Sequence, residues 1–153
     1  MPVLEEKVVI AAPARSVFDR LADVERSPDW APNLTEVRRT SKARTGRGLR
    51  LALVAREAGR ESKGTGRCLE WEPPRRLVLE FSFDIGATTT TAFELTQNGS
   101  KTELKARADY SLPKKGFGGM AISLLAGTMA RRGLRKSLEN LKSQLEADAS
   151  VSA

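Results

Sequence analysis

The sequence of 153 residues has no histidine and only one cysteine, Cys68. The lack of histidine excludes a Ser-His-Asp triad, a Cys-His pair, an HExxH helix and any histidine-bearing zinc site. A single cysteine excludes an internal disulfide and a CxxC motif. No apolar run approaches the roughly 18 residues of a membrane span, and no basic leader followed by an apolar stretch opens the sequence. We therefore expect a cytoplasmic domain that uses neither a metal nor a cofactor.

The composition is that of one globular domain. Hydrophobic residues make up 40% of the chain and charged residues 29%. A chain of this length buries a sizeable core without disulfide or metal staples. We expect a single domain over residues 1–147 and a frayed tail over residues 148–153.

The positive charge is concentrated in one part of the chain, the basic segment Leu34–Arg67. It holds ten basic and three acidic residues, so its net charge of +7 equals that of the whole chain. Such a segment attracts an anionic partner, or it is a solvated face of edge strands on which cations deter edge pairing. No RNP-type aromatic motif, zinc knuckle or helix-turn-helix pattern accompanies it, so we do not expect a nucleic acid.

The middle of the chain alternates between apolar and polar positions. The inward series are Leu49, Leu51 and Leu53; Leu77, Leu79, Phe81 and Phe83; and Thr102, Leu104, Ala106, Ala108 and Tyr110. A period of two predicts half-buried antiparallel strands. Asn98-Gly99 predicts a tight hairpin, because both residues tolerate positive φ.

Helical spacing marks both ends of this strand-rich region. A short helix is predicted after Pro13, because Val17, Phe18 and Leu21 follow at helical spacing. A helical turn is predicted after this helix. Near the C-terminus four leucines step by four, three and four residues, which predicts a long helix from about Phe117 to Ala147. These leucines are Leu134, Leu138, Leu141 and Leu145. The order of elements predicts an α+β fold.

Small residues mark the inward side of the predicted sheet. Thr89, Thr91, Ala106 and Ala108 lie at inward positions, near the larger Phe81, Phe83, Phe93 and Leu104. On the long helix, Met120, Leu124 and Gly127 continue the face of the four leucines. Small inward residues leave an apolar hollow with a few hydroxyls, unless side chains from neighbouring strands close over the gap.

Four stretches of the chain resemble one family. They are IAAPARSVF (residues 10–18), LAD (21–23), PDWAP (28–32) and LEWEPPRRL (69–77). Together with the long final helix, they are similar to the START-like (SRPBCC) superfamily, and more narrowly to the bacterial polyketide cyclase/dehydrase and lipid-transport group. The resemblance implies a helix-grip fold, in which a curved seven-stranded antiparallel sheet surrounds the C-terminal helix, with two short helices after the first strand. It also implies a deep apolar cavity.

The resemblance also implies a class of function and candidate residues. Members bind lipids, quinones, sterols or polyketides, and some close or dehydrate polyketide rings with arginine and tyrosine side chains. The corresponding candidates here are Tyr110 and Arg67, with Trp30 at the cavity entrance or as a structural plug. We expect binding or transport of a hydrophobic small molecule. The alternatives are a cofactor-free cyclase/dehydrase that uses Tyr110 and Arg67, and an interaction module that uses the basic segment.

The start of the long helix suggests one further partner. Apolar side chains such as Phe117 and Met120 are flanked by cations such as Lys114, Lys115 and Arg131. This arrangement suits a transient contact with an anionic membrane while a lipid enters or leaves. The alternative is a helix that packs on both the sheet and the Trp30 loop.

Overall fold

The computed structural model describes residues 3–57, 59–84, 86–111 and 120–152, without the side chains of residues 57, 120–129 and 150–152. The elements, in chain order, are β1 (Val3–Ile10), α1 (Ala14–Ala22), a 3₁₀-helix (Val24–Asp29), β2 (Leu34–Arg39), a second 3₁₀-helix (Gly46–Gly48), β3 (Arg50–Glu57), β4 (Arg60–Glu72), β5 (Arg76–Phe83), β6 (Thr88–Asn98), β7 (Lys101–Ser111) and α2 (Met120–Ser152).

The strands form one seven-stranded antiparallel sheet in the order β1-β7-β6-β5-β4-β3-β2. The two short helices connect the edge strands β1 and β2, and the long helix follows β7. This arrangement confirms the predicted α+β helix-grip architecture. The hairpin between β6 and β7 turns at Gly99, whose φ of 64° lies in the region that glycine adopts without strain.

The core lies between the inner face of the sheet and the last turns of α2. Leu138, Leu141 and Leu145 are buried, as their helical spacing predicts. Phe18 and Leu21 of α1 join the same core cluster. One end of the sheet is therefore closed by packed side chains from both helices.

The C-terminal half of α2 also covers the free edge of β1. Lys142 Nζ donates a hydrogen bond to the Val9 carbonyl at 2.7 Å, and Glu146 Oε2 accepts one from the Ala11 backbone N–H at 2.8 Å. Edge strands carry unpaired backbone groups that other strands can pair with. These two side chains satisfy such groups at the end of β1.

The long helix ends later than the sequence predicts. The predicted end is Ala147 with a frayed tail after it, whereas α2 continues to Ser152. One cause is the ion pair between Asp148 and the largely buried Arg20 side chain of α1, at 3.4 Å, which ties the last turns to the fold. The predicted start near Phe117 lies outside the described residues. In the part of the chain that the structure describes, no helix is long and apolar enough to cross a membrane.

Candidate functional site

The register of the sheet brings the predicted inward residues of β5, β6 and β7 together with two residues of β4 in adjoining rows. One row contains Gly66, Phe81, Thr89 and Tyr110; the next contains Cys68, Leu79, Thr91 and Ala108; the third contains Leu77, Phe93 and Ala106. Residues directly opposite each other in antiparallel strands point to the same face. The predicted inward positions of these candidate residues on β5, β6 and β7 are therefore confirmed, whereas their contact with a ligand stays a prediction.

Burial changes along this inner face. Phe93, Leu104, Ala106 and Ala108 are buried beside the closed end of the core. The residues farther along β5, β6 and β7 are only half-buried: Phe81, Phe83, Thr89, Thr91 and Tyr110. They present two phenyl rings, two threonine hydroxyls and one phenol. An apolar surface with a few convergent polar groups is typical of a small-molecule site.

Two glycines on β4 allow the phenyl rings of β5 to lie close to the sheet. A Cβ atom at Gly66 would lie 2.9 Å from Phe81 Cδ1 and 2.7 Å from Leu51 Cδ1. A Cβ atom at Gly64 would lie 2.8 Å from both Phe83 Cδ1 and the Ser82 carbonyl oxygen. Glycine within a strand often marks such a close approach. Neither glycine was among the candidate residues predicted from the sequence, although their period-two spacing in β4 was a usable signal.

Trp30 lies at the buried end of the site, where the loop after the first 3₁₀-helix meets α2. Its ring packs edge-on against Phe93, with ring centroids 6.5 Å apart. Asn140 donates a hydrogen bond to the Trp30 carbonyl at 3.1 Å, and Gln144 donates one to the Asp29 carbonyl at 2.7 Å. The indole is therefore held between the helix and the inner face of β6.

The expectation that Arg67 points inward is wrong. Arg67 lies opposite Glu80 on the outer face, where its Nε donates a 2.8 Å hydrogen bond to the Glu80 carboxylate. The neighbouring inward positions of β4 are Gly66 and Cys68, both buried. Arg67 and Tyr110 thus lie on opposite faces of the sheet and cannot act on one ligand as the predicted catalytic pair.

Cys68 is buried on the inner face of the sheet, where it lies opposite Leu79. Burial raises the pKa of its thiol, although the Glu70 carbonyl bond and the nearby Arg47 and Arg50 oppose that rise. A thiol with a raised pKa is a poor nucleophile near neutral pH. Cys68 therefore contributes packing rather than reactivity to this face.

The helix side of the candidate site is described only in part. The side chains of Met120 and Leu124 and the surroundings of Gly127 lie outside what the structure describes, as do most of the residues predicted to contact a membrane. No group of three or more metal-ligating side chains occurs among the residues that the structure describes.

Comparison with protein families identifies the family of this chain. The chain belongs to the family described as polyketide cyclase / dehydrase and lipid transport, whose model matches residues 1–146. Membership in the polyketide cyclase/dehydrase and lipid-transport group, which the four sequence stretches predict, is thereby confirmed. A search of curated proteins returns no match.

Solved structures show the same fold at low identity. A START superfamily protein from Mycobacterium smegmatis is 21% identical, with a TM-score of 0.75 over 94% of this chain and 98% of that one. The Zhui aromatase/cyclase from Streptomyces sp. R1128 is also 21% identical, with a TM-score of 0.80 over 95% of this chain and 93% of that one. TTHA0849 from Thermus thermophilus is 18% identical, with a TM-score of 0.81 over 96% of this chain and 99% of that one.

Proposed function

We propose that this protein binds a hydrophobic small molecule, of lipid, quinone or polyketide type, against the inner face of its sheet. The observation that carries the proposal is the half-buried series on β5, β6 and β7, made of Phe81, Phe83, Thr89, Thr91 and Tyr110. These side chains lie next to the closed end of the core on the same strands, and they present apolar rings beside isolated hydroxyl groups. An apolar ligand on this surface removes the rings from water, which is favourable in proportion to the area covered.

The family description includes both lipid transport and polyketide cyclisation, and binding of a hydrophobic molecule is common to the two. Without Arg67 on the inner face, Tyr110 is the one member of the predicted catalytic pair that a bound molecule can reach from this side. A phenol hydroxyl can donate a hydrogen bond or a proton to such a molecule. The cyclase/dehydrase activity therefore stays a prediction that depends on Tyr110, and the proposed function is binding.

A matched pair of variants tests the site. Thr89 points inward between Phe81 and Tyr110, and the next residue, Thr90, points outward opposite Glu80. Thr89→Trp fills the inner surface, whereas Thr90→Trp adds the same bulk to the other face. The measurement is the fluorescence of the apolar probe N-phenyl-1-naphthylamine as it is titrated with each variant.

We expect Thr89→Trp to weaken probe binding at least about tenfold, which corresponds to about 1.4 kcal/mol. Thr90→Trp should leave the affinity within about twofold of the unmodified protein, a change of about 0.4 kcal/mol. Far-ultraviolet circular dichroism checks that both variants fold. Equal affinities of two folded variants, or no probe binding by the unmodified protein, would contradict the proposed function.

A further inference from the structure

One buried polar group in the core has no hydrogen-bond partner. Trp30 is 7% exposed, and its Nε1 is buried without a hydrogen-bond acceptor among the residues that the structure describes. Buried N–H groups in folded proteins nearly always have a partner, because an unpaired donor loses its bond to water without replacement. This donor therefore calls for a specific explanation.

The Trp30 ring lies beside the inner face of the sheet. The backbone carbonyls of Asp29 and Trp30 accept hydrogen bonds from the Gln144 and Asn140 side chains, so the Trp30 backbone is tied to α2. The ring itself reaches Phe93 on the inner face of β6. Phe93 lies two residues along the same strand from Thr91, which belongs to the half-buried series. The indole thus stands next to the proposed ligand surface.

The chemistry of the indole restricts what can pair with it. An indole N–H donates one hydrogen bond and accepts none. A pure hydrocarbon cannot satisfy it, whereas a carbonyl oxygen can. A phenylalanine ring would pack against Phe93 without leaving a buried donor.

We propose that Trp30 Nε1 donates a hydrogen bond to a carbonyl oxygen of the bound molecule, so that the site selects apolar ketones or quinone-like rings over hydrocarbons. This inference rests on the proposed function, since it needs a ligand on the inner face. It adds a specific residue and a functional group on the ligand. Trp30 then acts as a selectivity-determining residue.

The test compares α-tetralone with tetralin, which has the same two fused rings without the carbonyl. The chain has two tryptophans, so the ¹H–¹⁵N spectrum holds two indole signals, and Trp71→Phe identifies that of Trp30. Trp71 serves as the control because its ring packs on Phe18, with centroids 5.4 Å apart, at another place in the core. Each compound is titrated into the unmodified protein, Trp30→Phe and Trp71→Phe.

We expect α-tetralone to shift the Trp30 indole proton downfield, and tetralin to leave it without a hydrogen-bond shift. Trp30→Phe should weaken α-tetralone binding about fivefold and change tetralin binding less than about twofold, because only one hydrogen bond is lost. Trp71→Phe should leave both affinities unchanged. The indole shift is measured in the unmodified protein, so it remains informative even if Trp30→Phe is unstable.

Three results would overturn the inference. If α-tetralone and tetralin both bind and shift the Trp30 indole signal equally, the ligand carbonyl does not accept a hydrogen bond from Trp30 Nε1. The proposed binding function then stands without this hydrogen bond. If N-phenyl-1-naphthylamine binds but α-tetralone does not, the ketone preference is wrong. If none of the three binds, the proposed function fails together with the inference.

Discussion

At the residue scale, two pairs of opposed glycine and phenylalanine residues on β4 and β5 determine the shape of the inner face. Phe81 and Phe83 lie close to β4 only because Gly66 and Gly64 have no side chains. The rings therefore cover the strand instead of standing away from it. Each glycine can be tested separately from ligand binding.

Gly66→Ala should destabilise the fold by about 1–3 kcal/mol, because its Cβ would lie within 3.0 Å of side-chain atoms of Leu51 and Phe81. In the double variant Gly66→Ala with Phe81→Leu, the cost should be smaller than the sum of the two single costs, since the smaller side chain relieves part of the overlap. Urea unfolding of the three variants measures this. Additive costs would mean that the ring and the glycine do not share the space.

Residue patterns also explain which part of the site was predictable. The inward series on β5 and β7 followed from a period of two, since the pairing of β5, β6 and β7 contains no register shift. On β4 the register shifts between Cys68 and Glu70. Trp71 packs against the core, so a period of two counted back from it would place Arg67 on the inner face. The extra residue of the bulge instead places the Arg67 side chain on the outer face. A single sequence gave no sign of that bulge.

At the scale of elements, the ion pair between Lys142 and Glu146 near the end of α2 contacts the backbone at the end of β1. Lys142 Nζ lies 2.7 Å from Glu146 Oε2, and both side chains bond the backbone at the end of β1. The Lys142 bond, followed by the Ala11 N–H bond, lowers the pKa of Glu146 below its ordinary value. The Glu146 carboxylate therefore supports the contact between α2 and the end of β1 through both Lys142 and the Ala11 backbone.

This lowered pKa predicts a dependence of stability on pH. A carboxylate whose pKa is lower in the folded state stabilises the fold above its unfolded pKa of about 4.3, and that contribution is lost as the pH falls through the folded pKa. Glu146→Gln should therefore reduce stability near pH 7 by less than about 1 kcal/mol, since the pair is partly exposed. Between pH 7 and acid conditions its stability should fall less than that of the unmodified protein.

The exposed Glu139, on the same helix, provides the control for this measurement. Glu139→Gln should keep the acid dependence of the unmodified protein in urea unfolding at pH 7, 5, 4 and 3. If Glu146→Gln has the same pH profile as Glu139→Gln, the contact with β1 contributes nothing to stability.

The elements themselves were largely predictable, because each carries a periodic signal. Val17, Phe18 and Leu21 are buried in α1 as their spacing indicates, and the last leucines of α2 pack as one face. The end of α2 was not predictable, since the contact that continues it joins Asp148 to Arg20, 128 residues earlier in the chain. Such tertiary contacts leave no local pattern.

At the scale of the whole molecule, the two faces of the sheet have different chemistry. The inner face is apolar, whereas cations of the basic segment stand on the outer face of β3 and β4, where Arg50 lies opposite Arg67. Like charges directly opposite each other are unfavourable. An anionic partner at this outer surface stays a prediction, and it is independent of a ligand on the inner face.

The central claim is that a single apolar molecule occupies the inner face of the sheet. Native mass spectrometry of the protein, after incubation with an organic extract of its expression host, tests that claim directly. We expect one adduct of defined mass per chain, which organic solvent removes and which Thr89→Trp fails to retain while Thr90→Trp retains it. A bare mass for the unmodified protein, or the same adduct on both variants, would contradict the account.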